Sequence, residues 1–296
     1  MRVFVTGATG FVGSAVVAEL LQAGHEVLGL ARTDEAATAL QQAGAAVHRG
    51  NLQDPDSIAA GVANVDAVIH TAFNHDFSRY AASCEEDRQL IHRLGAALAG
   101  TNRPLIVTSG IGVLNKSGQL ITEQDVTPPA SVMPRAATEE AARAIAAQGV
   151  RTYIVRLPHT VHGRGDHGFV PILVGLAKEK GASAWIGEGQ NVWPAVHRLD
   201  AAVVYRLIVE QQPEKTVFHA VQEGGIPFRQ IATTIGQGLS VPAVTKNGVE
   251  AEQYFGWFKH FAAMDCPASS EQTRQVLGWE PRETGLLKDL VSSDYF

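Results

Sequence analysis

The chain has 296 residues, of which 45% are hydrophobic and 18% charged, a composition that suits a packed core and excludes a largely disordered chain. Its net charge is −6 and no basic stripe with interleaved aromatics runs along it, so nucleic acid is not an expected partner. No apolar run approaches the ~20 residues of a membrane span, and the beginning of the chain lacks a signal-peptide pattern, so a cytoplasmic protein is expected.

In chain order, Arg2–Thr6 reads as a strand and the next segment as a helix, with Val12, Ala15, Val16, Glu19 and Leu20 at helical spacing. A second strand is predicted over 26–30 and a helix from about Asp34 to Ala43. A third strand covers 46–48, and Asp54-Pro55 opens a helix with a side-chain cap and a proline in its first turn. Strands at 66–70, 105–109 and 152–156 then alternate with helices predicted over 85–99 and from about Arg135 to Ala147. Strands this apolar, separated by helices, imply an α/β fold with a doubly wound parallel sheet covered on both faces. After about Arg156 glycine, proline and tryptophan become frequent and the segments shorten. The second part is therefore read as a smaller lobe at the carboxyl edge of the sheet, where open α/β sheets bind ligands.

Thr6-Gly7-Ala8-Thr9-Gly10-Phe11-Val12-Gly13 joins the first strand to the first helix with GxxGxxG spacing. Gly7 permits a tight turn, Gly10 lets backbone approach a pyrophosphate, and Gly13 allows the helix to pack closely. Thr9, Phe11 and Val12 complete this corner, whose free amides and helix dipole suit phosphate. At the end of the second strand stands Arg32, a guanidinium suited to a 2′-phosphate, so NADP is expected rather than NAD. Asp34 is the alternative ribose ligand, or a helix cap. Residues 1–156 are accordingly read as a dinucleotide-binding domain. Residues 157–296 are read as a mainly substrate-binding lobe with segments returning to the sheet.

Together with this turn, several stretches resemble the extended and atypical short-chain dehydrogenase/reductase superfamily, in its NAD(P)-dependent epimerase/dehydratase-like branch. They are Gly50-Asn51-Leu52-Gln53-Asp54, His70-Thr71-Ala72, Thr108-Ser109-Gly110, Arg156-Leu157-Pro158 through His162-Gly163, and Val196-His197-Arg198-Leu199-Asp200-Ala201. The segment from Ser269 to Leu277-Gly278-Trp279-Glu280-Pro281 is similar to that branch's C-terminal part. The resemblance implies a Rossmann-type sheet, with Asn51 and Leu52 flanking the adenine and Thr71, Ala72 and Phe73 lining the ribose and pyrophosphate. It implies Pro158 and His159 near the nicotinamide, and Ser109 as the hydroxyl that hydrogen-bonds a substrate oxygen. The competing reading of Ser109 is a strand-end hydroxyl that satisfies a turn.

The chain departs from the superfamily in carrying no YxxxK. Aligning Glu139 with the acid that follows the usual lysine puts Arg135 at the lysine position and Ser131 at the tyrosine position, whereas a one-residue shift onto Glu140 gives Ala136 and Val132, which carry no chemistry. Arg135 would then hold the nicotinamide ribose as a fixed cation, unable to relay protons with a pKa above ~12; otherwise it is a solvated helix-start residue. Replacement acids are sought among His75, Tyr80, His159, His162 and His167, whereas His70 reads as structural. No metal is expected, because the histidines show no HExxH or Cys/His array and Cys84 and Cys266 stand far apart. Tyr254-Phe255-Gly256-Trp257-Phe258 is read either as a wall over the substrate or as packing between helices.

The expected activity is NADPH-dependent hydride transfer to a small, fairly apolar carbonyl compound. An NADP-binding sensor without turnover is the alternative, with a nucleotide-sugar epimerase or dehydratase third. The expected partner is a small-molecule substrate, and a homodimer stays open.

Overall fold

The computed structural model describes residues 1–114, 116–292 and 295–296. Through the first part of the chain strand and helix alternate: β1 (Arg2–Thr6), α1 (Phe11–Gln22), β2 (Glu26–Ala31), α2 (Asp34–Gln42), β3 (Ala46–Arg49), α3 (Pro55–Val62), β4 (Ala67–His70), α4 (Tyr80–Leu98), β5 (Leu105–Gly110), α5 (Ala137–Ala147) and β6 (Thr152–Leu157). The second part adds β7 (Thr160–His162), α6 (Phe169–Lys180), β8 (Ser183–Ile186), β9 (Val192–His197), α7 (Arg198–Gln211), β10 (Val217–His219), β11 (Glu223–Pro227) and α8 (Phe228–Leu239). It ends with β12 (Ala243–Lys246), α9 (Gly248–Phe255), α10 (Lys259–Ala262), α11 (Glu271–Leu277) and α12 (Leu286–Ser292).

Seven parallel strands form the central sheet in the order β10-β6-β5-β4-β1-β2-β3. β1 is buried on both faces, and its side chains alternate as the strand period requires. Val3 and Val5 join Val16 and Leu20 of α1 and Val204, Tyr205 and Ile208 of α7 in one layer. Phe4 joins Ile58 of α3, Leu90, Ile91 and Leu94 of α4 and Ile145 of α5 in the other. The chain winds outward from β1 to β2 and β3, then restarts beside β1 at β4. That reversal opens a crevice above β1 and β4, the place where such sheets take ligands.

A separate aromatic-rich core holds Val170, Leu173, Trp185, Trp193, Phe228, Ile231, Phe255 and Phe258, between α6, α8 and α9. Around it run the β8–β12 pair and the three strands β11-β9-β7. The main sheet is not finished before this lobe begins: β10 pairs with β6, with Phe218 beside Val155. α7 covers α1, and Trp279 joins the same layer.

Several predicted boundaries move. α4 starts at Tyr80, five residues earlier than expected, because Asp76 caps a 3-10 turn at Phe77–Arg79 that runs straight into the helix. Thr33, not Asp34, caps α2, accepting from the Ala36 amide. Arg135 lies in a 3-10 turn, Pro134–Ala136, just ahead of α5. Asp54 and Pro55 open α3 as the sequence predicts. Among the described residues no helix is long and apolar enough to cross a membrane.

Candidate active site

The glycine turn is pressed against the end of β4. Gly7 has φ +68, and a Cβ there would stand 2.6 Å from the Ala72 nitrogen. A Cβ on Gly13 would meet the Gly7 carbonyl oxygen at 2.0 Å and Thr71 Oγ1 at 2.7 Å. Only glycine permits this approach. Thr71 donates its hydroxyl to the Thr6 carbonyl at 2.8 Å, tying β4 to β1, so its side chain closes the corner while Ala72 lines it. Gly10 is the N-cap of α1 and supplies no side-chain partner for the first amides, which leaves a cradle for an anion. Thr9 is exposed beside it, and Val12 turns back onto the core. The Phe11 ring lies between His167, at 5.6 Å, and the Arg198 guanidinium, at 5.0 Å. Arg198 also donates to the Phe11 carbonyl at 3.4 Å. The sequence reading did not place this cation beside the glycine turn. It comes from the first residue of α7, 187 residues along the chain from Phe11, in a stretch that the sequence singles out only by resemblance and without this contact.

At the other end of the crevice, Arg32 is exposed just beyond β2. Ala31 pairs in register with Arg49 of β3, so a second guanidinium stands beside the first position. Arg49 is bonded to Asp34, which therefore serves neither as helix cap nor as a free ribose acid. Asn51 uses its side-chain oxygen to accept from the Gln53 amide at 3.1 Å, and Leu52 packs on the core layer beneath α3 and α4.

Above β4 and β5 a buried polar chain takes shape. Thr6 Oγ1 lies 2.6 Å from His70 Nδ1, and His70 Nε2 lies 2.9 Å from Asp87 Oδ1. The other Asp87 oxygen accepts from Arg135 at 2.8 Å and from the Thr138 hydroxyl. Arg135 donates further to the Thr108 carbonyl at 3.1 Å and lies 3.8 Å over the Phe73 ring. Burial works against a charged Asp87, but Arg135, His70 and Thr138 outweigh it and hold the carboxyl down to about 2. With its side chain 13% exposed, Arg135 is not a solvated helix-start residue but a clamped cation. His70 has the structural place expected of it.

Ser109 is turned the other way. It is 4% exposed and donates to Glu139 Oε1 at 2.8 Å. Glu139 takes both Arg156 Nε and Nη2 at 2.8 Å, and Arg156 reaches His219 at 3.3 Å and the Asp125 carbonyl at 2.8 Å. The hydroxyl expected on a substrate oxygen is instead committed to a buried network that joins β5, β6 and α5. Ser131, at the usual tyrosine position, is exposed.

The candidate acids fall into different surroundings. His162 Nδ1 lies 2.8 Å from Asp289 in a buried pair, and His167 is exposed with Nδ1 3.2 Å from the Gly165 carbonyl. Pro158 is buried, and the His159 ring stacks on Trp193 at 5.9 Å. Both His159 nitrogens are buried without a hydrogen-bond partner among the described residues, and burial pushes the imidazole down to about 4. His75 meets Phe73 at 5.0 Å. Tyr80 is half-buried, 6.3 Å from Phe73 and stacked on Phe77 at 5.7 Å.

Phe77 in turn meets Trp257 at 5.5 Å and Phe261 at 5.8 Å, so aromatic residues from both parts of the chain meet across the crevice mouth. Of the stretch read as a substrate wall, Tyr254, Phe255 and Phe258 belong to the lobe core, whereas Trp257 is 60% exposed at the mouth. Among the described residues no group of three or more His, Cys, Asp or Glu could hold a metal ion.

The family model described as the NAD dependent epimerase/dehydratase family matches residues 3–220. A Schizosaccharomyces pombe protein with the name "uncharacterized protein C2A9.02" is 49% identical over 296 residues, covering 100% of both chains. The sterol-4-alpha-carboxylate 3-dehydrogenase, decarboxylating, of Dictyostelium discoideum is 26% identical over 78% of this chain and 74% of its own. A crystal structure of a Streptomyces venezuelae dTDP-glucose 4,6-dehydratase double mutant with NAD bound superposes with TM-score 0.78 at 20% identity, covering 98% of this chain and 95% of that one. At that identity the likeness speaks for the fold.

Proposed function

The chain belongs to the NAD-dependent epimerase/dehydratase family, and we propose that within it the protein is an NADPH-dependent reductase of a small, fairly apolar carbonyl compound. The observation that supports this reading is the glycine turn, where Gly7 lies so close to the end of β4 that a Cβ would stand 2.6 Å from the Ala72 nitrogen, and where Gly10 leaves the first amides of α1 without a side-chain cap. The residues fit a dinucleotide phosphate. The Phe11 and Val12 amides, with Arg198 beside Phe11, would hold the pyrophosphate, the Gly10 amide being donated to the Gly7 carbonyl at 2.9 Å. Arg32 would bind the 2′-phosphate, with Arg49 joining it by exchanging Asp34 for the ligand. Asn51 and Leu52 would border the adenine, and Thr71, Ala72 and Phe73 the inner wall. Arg135, over Phe73, would face the nicotinamide ribose, near Pro158 and His159.

A bound reduced nicotinamide supplies hydride to a carbonyl carbon. Around it the protein's own groups exclude water and orient the substrate. Phe77, Trp257 and Phe261 offer an apolar mouth, which supports an apolar substrate, as does the sterol named for the Dictyostelium relative. Ser109 would act as a positioning residue: its bond to Glu139, which holds Arg156 against the Asp125 carbonyl, links β5 to the loop that follows it.

The test is turnover. Purified protein should oxidise NADPH in the presence of at least one member of a panel of aromatic and aliphatic aldehydes, ketones and enones. Tight NADPH binding with no oxidation across the panel would favour a sensor instead. Cofactor retained through purification would favour epimerase or dehydratase chemistry.

A further inference from the structure

Reduction of a carbonyl needs a proton at oxygen, and the helix that usually brings a tyrosine offers Ser131 instead. Ser109 is committed to Glu139, and His162 is paired with Asp289. Both His159 nitrogens are enclosed, with Nε2 2.7 Å from where a Cβ on Gly112 would stand. Another acid stands at the mouth. Tyr80, Cys84 and Asp87 occupy positions i, i+4 and i+7 of α4, so they share one face. That face meets Arg135, whose guanidinium binds Asp87 at 2.8 Å. Phe73 is the common wall, with Arg135 3.8 Å over its ring and Tyr80 edge-on at 6.3 Å.

On the reductase reading, we infer that Tyr80 of α4 donates the proton to the substrate oxygen, with Arg135 beside it as the fixed cation that steadies the phenolate left behind. A tyrosine and a cation are thus brought together from two elements where the superfamily takes both from one helix. In the balanced step the carbonyl carbon gains hydride from the reduced nicotinamide, which is thereby oxidised. The C=O π pair moves to oxygen, and that oxygen takes the phenolic proton. The Tyr80 phenolate then recovers a proton from water.

The chemistry agrees with the surroundings. Burial pushes the Tyr80 phenol up to about 12, with Cys84 adding to the rise and Arg135 opposing it. The phenol is therefore in its donor form at neutral pH and is still a stronger acid than an alcohol. The charged or titratable groups around it are Cys84 and Asp87 on its own helix, Arg135 from the turn before α5, and His75 from the segment before it. Arg135 cannot serve as the donor itself, because its proton does not leave in the working range.

Two measurements decide the matter. Tyrosinate absorbance against pH, with Tyr80 assigned by the signal missing in Tyr80→Phe, should show this phenol falling by about one pH unit when NADP+ saturates the protein. In Arg135→Gln it should rise. A Tyr80 titration that responds to neither would overturn the proposal, even without a substrate in hand. With a carbonyl compound that turns over, Tyr80→Phe should lower kcat by about a hundredfold or more and leave KM and NADPH affinity nearly unchanged. Wild-type kcat in Tyr80→Phe, with the loss appearing in His159→Phe instead, would move the acid to His159. If the unaltered protein takes up no NADPH, the reductase reading fails, a result distinct from either of these.

Discussion

Asp87 is the residue on which the inner end of the site depends, since it joins His70, Arg135 and Thr138 at a point where its own side chain is 4% exposed. Removing it leaves a buried guanidinium without its counter-charge, so Asp87→Ala should destabilise the protein by about 3–5 kcal/mol, read from urea midpoints. The same pairing sets an acid limit. The carboxyl is held down to about 2 in the folded protein, against ~3.9 unfolded. Its contribution, on the order of 2 kcal/mol, is therefore present above about pH 4 and is lost as pH falls toward 2. Asp87→Asn should flatten that part of the stability profile, and an unchanged acid slope would contradict the pairing. The glycines of the turn were legible in the sequence, because a strand–helix corner packed this closely writes its needs into eight consecutive residues. Asp87 and the contact made by Arg198 were not legible in the same way, and Arg135 was reached only through the resemblance. Asp87 meets Arg135 across 48 positions and Arg198 meets Phe11 across 187, and no periodicity carries a contact at that range.

At the scale of elements, the corner between β1 and α1 depends on helix and strand end lying closer than any side chain allows. Gly13→Ala would push a Cβ to 2.0 Å from the Gly7 carbonyl. The helix must then move off the β4 end, at a cost of about 1–3 kcal/mol. The expected outcome is a stability loss of that size together with weaker nucleotide binding; wild-type affinity would show that the close packing is not what shapes the cradle. Most of the strands β1 to β6 were predictable because they are apolar, buried and separated by a helix with its own period; β3, at the sheet edge, is the half-exposed exception. β7 and β10 have three residues each, too short for any pattern, and β10 finds its place only through β6, over sixty positions earlier. The early start of α4 escaped for a related reason, because the cap lies four residues upstream, at the Asp76 side chain.

The whole molecule folds the two parts of the chain into one unit. Tyr205 of α7 is fully buried and its hydroxyl lies 2.8 Å from Thr108 Oγ1 of β5, while Trp279 donates to the Asp200 carbonyl at 3.0 Å beneath the same layer. A fragment ending at residue 156 would expose the α1 face and leave β6 as an open edge. It should lack a cooperative urea transition, whereas the full chain should show one; a stably folded fragment would contradict this. Acid should also weaken the whole fold well before carboxylates titrate. Burial pushes His159 down to about 4, and burial followed by the Arg156 charge pushes His219 down to about 3. Both imidazoles stay neutral in the fold while their unfolded forms charge near ~6.5. Their contribution is thus full above that value and declines as pH falls from it toward 4 and 3. The midpoint in urea should drop between pH 7.5 and 5, and equal midpoints would show that these rings are not buried neutral.

If the crevice holds a dinucleotide phosphate as proposed, it should prefer the one bearing a 2′-phosphate. Calorimetric titration of NADPH and NADH into the wild-type protein and Arg32→Ala tests it most directly. Tighter binding of NADPH than NADH is expected, with a loss of about tenfold or more for NADPH alone in the variant. Absence of heat with either nucleotide, or equal losses for both in Arg32→Ala, would contradict it.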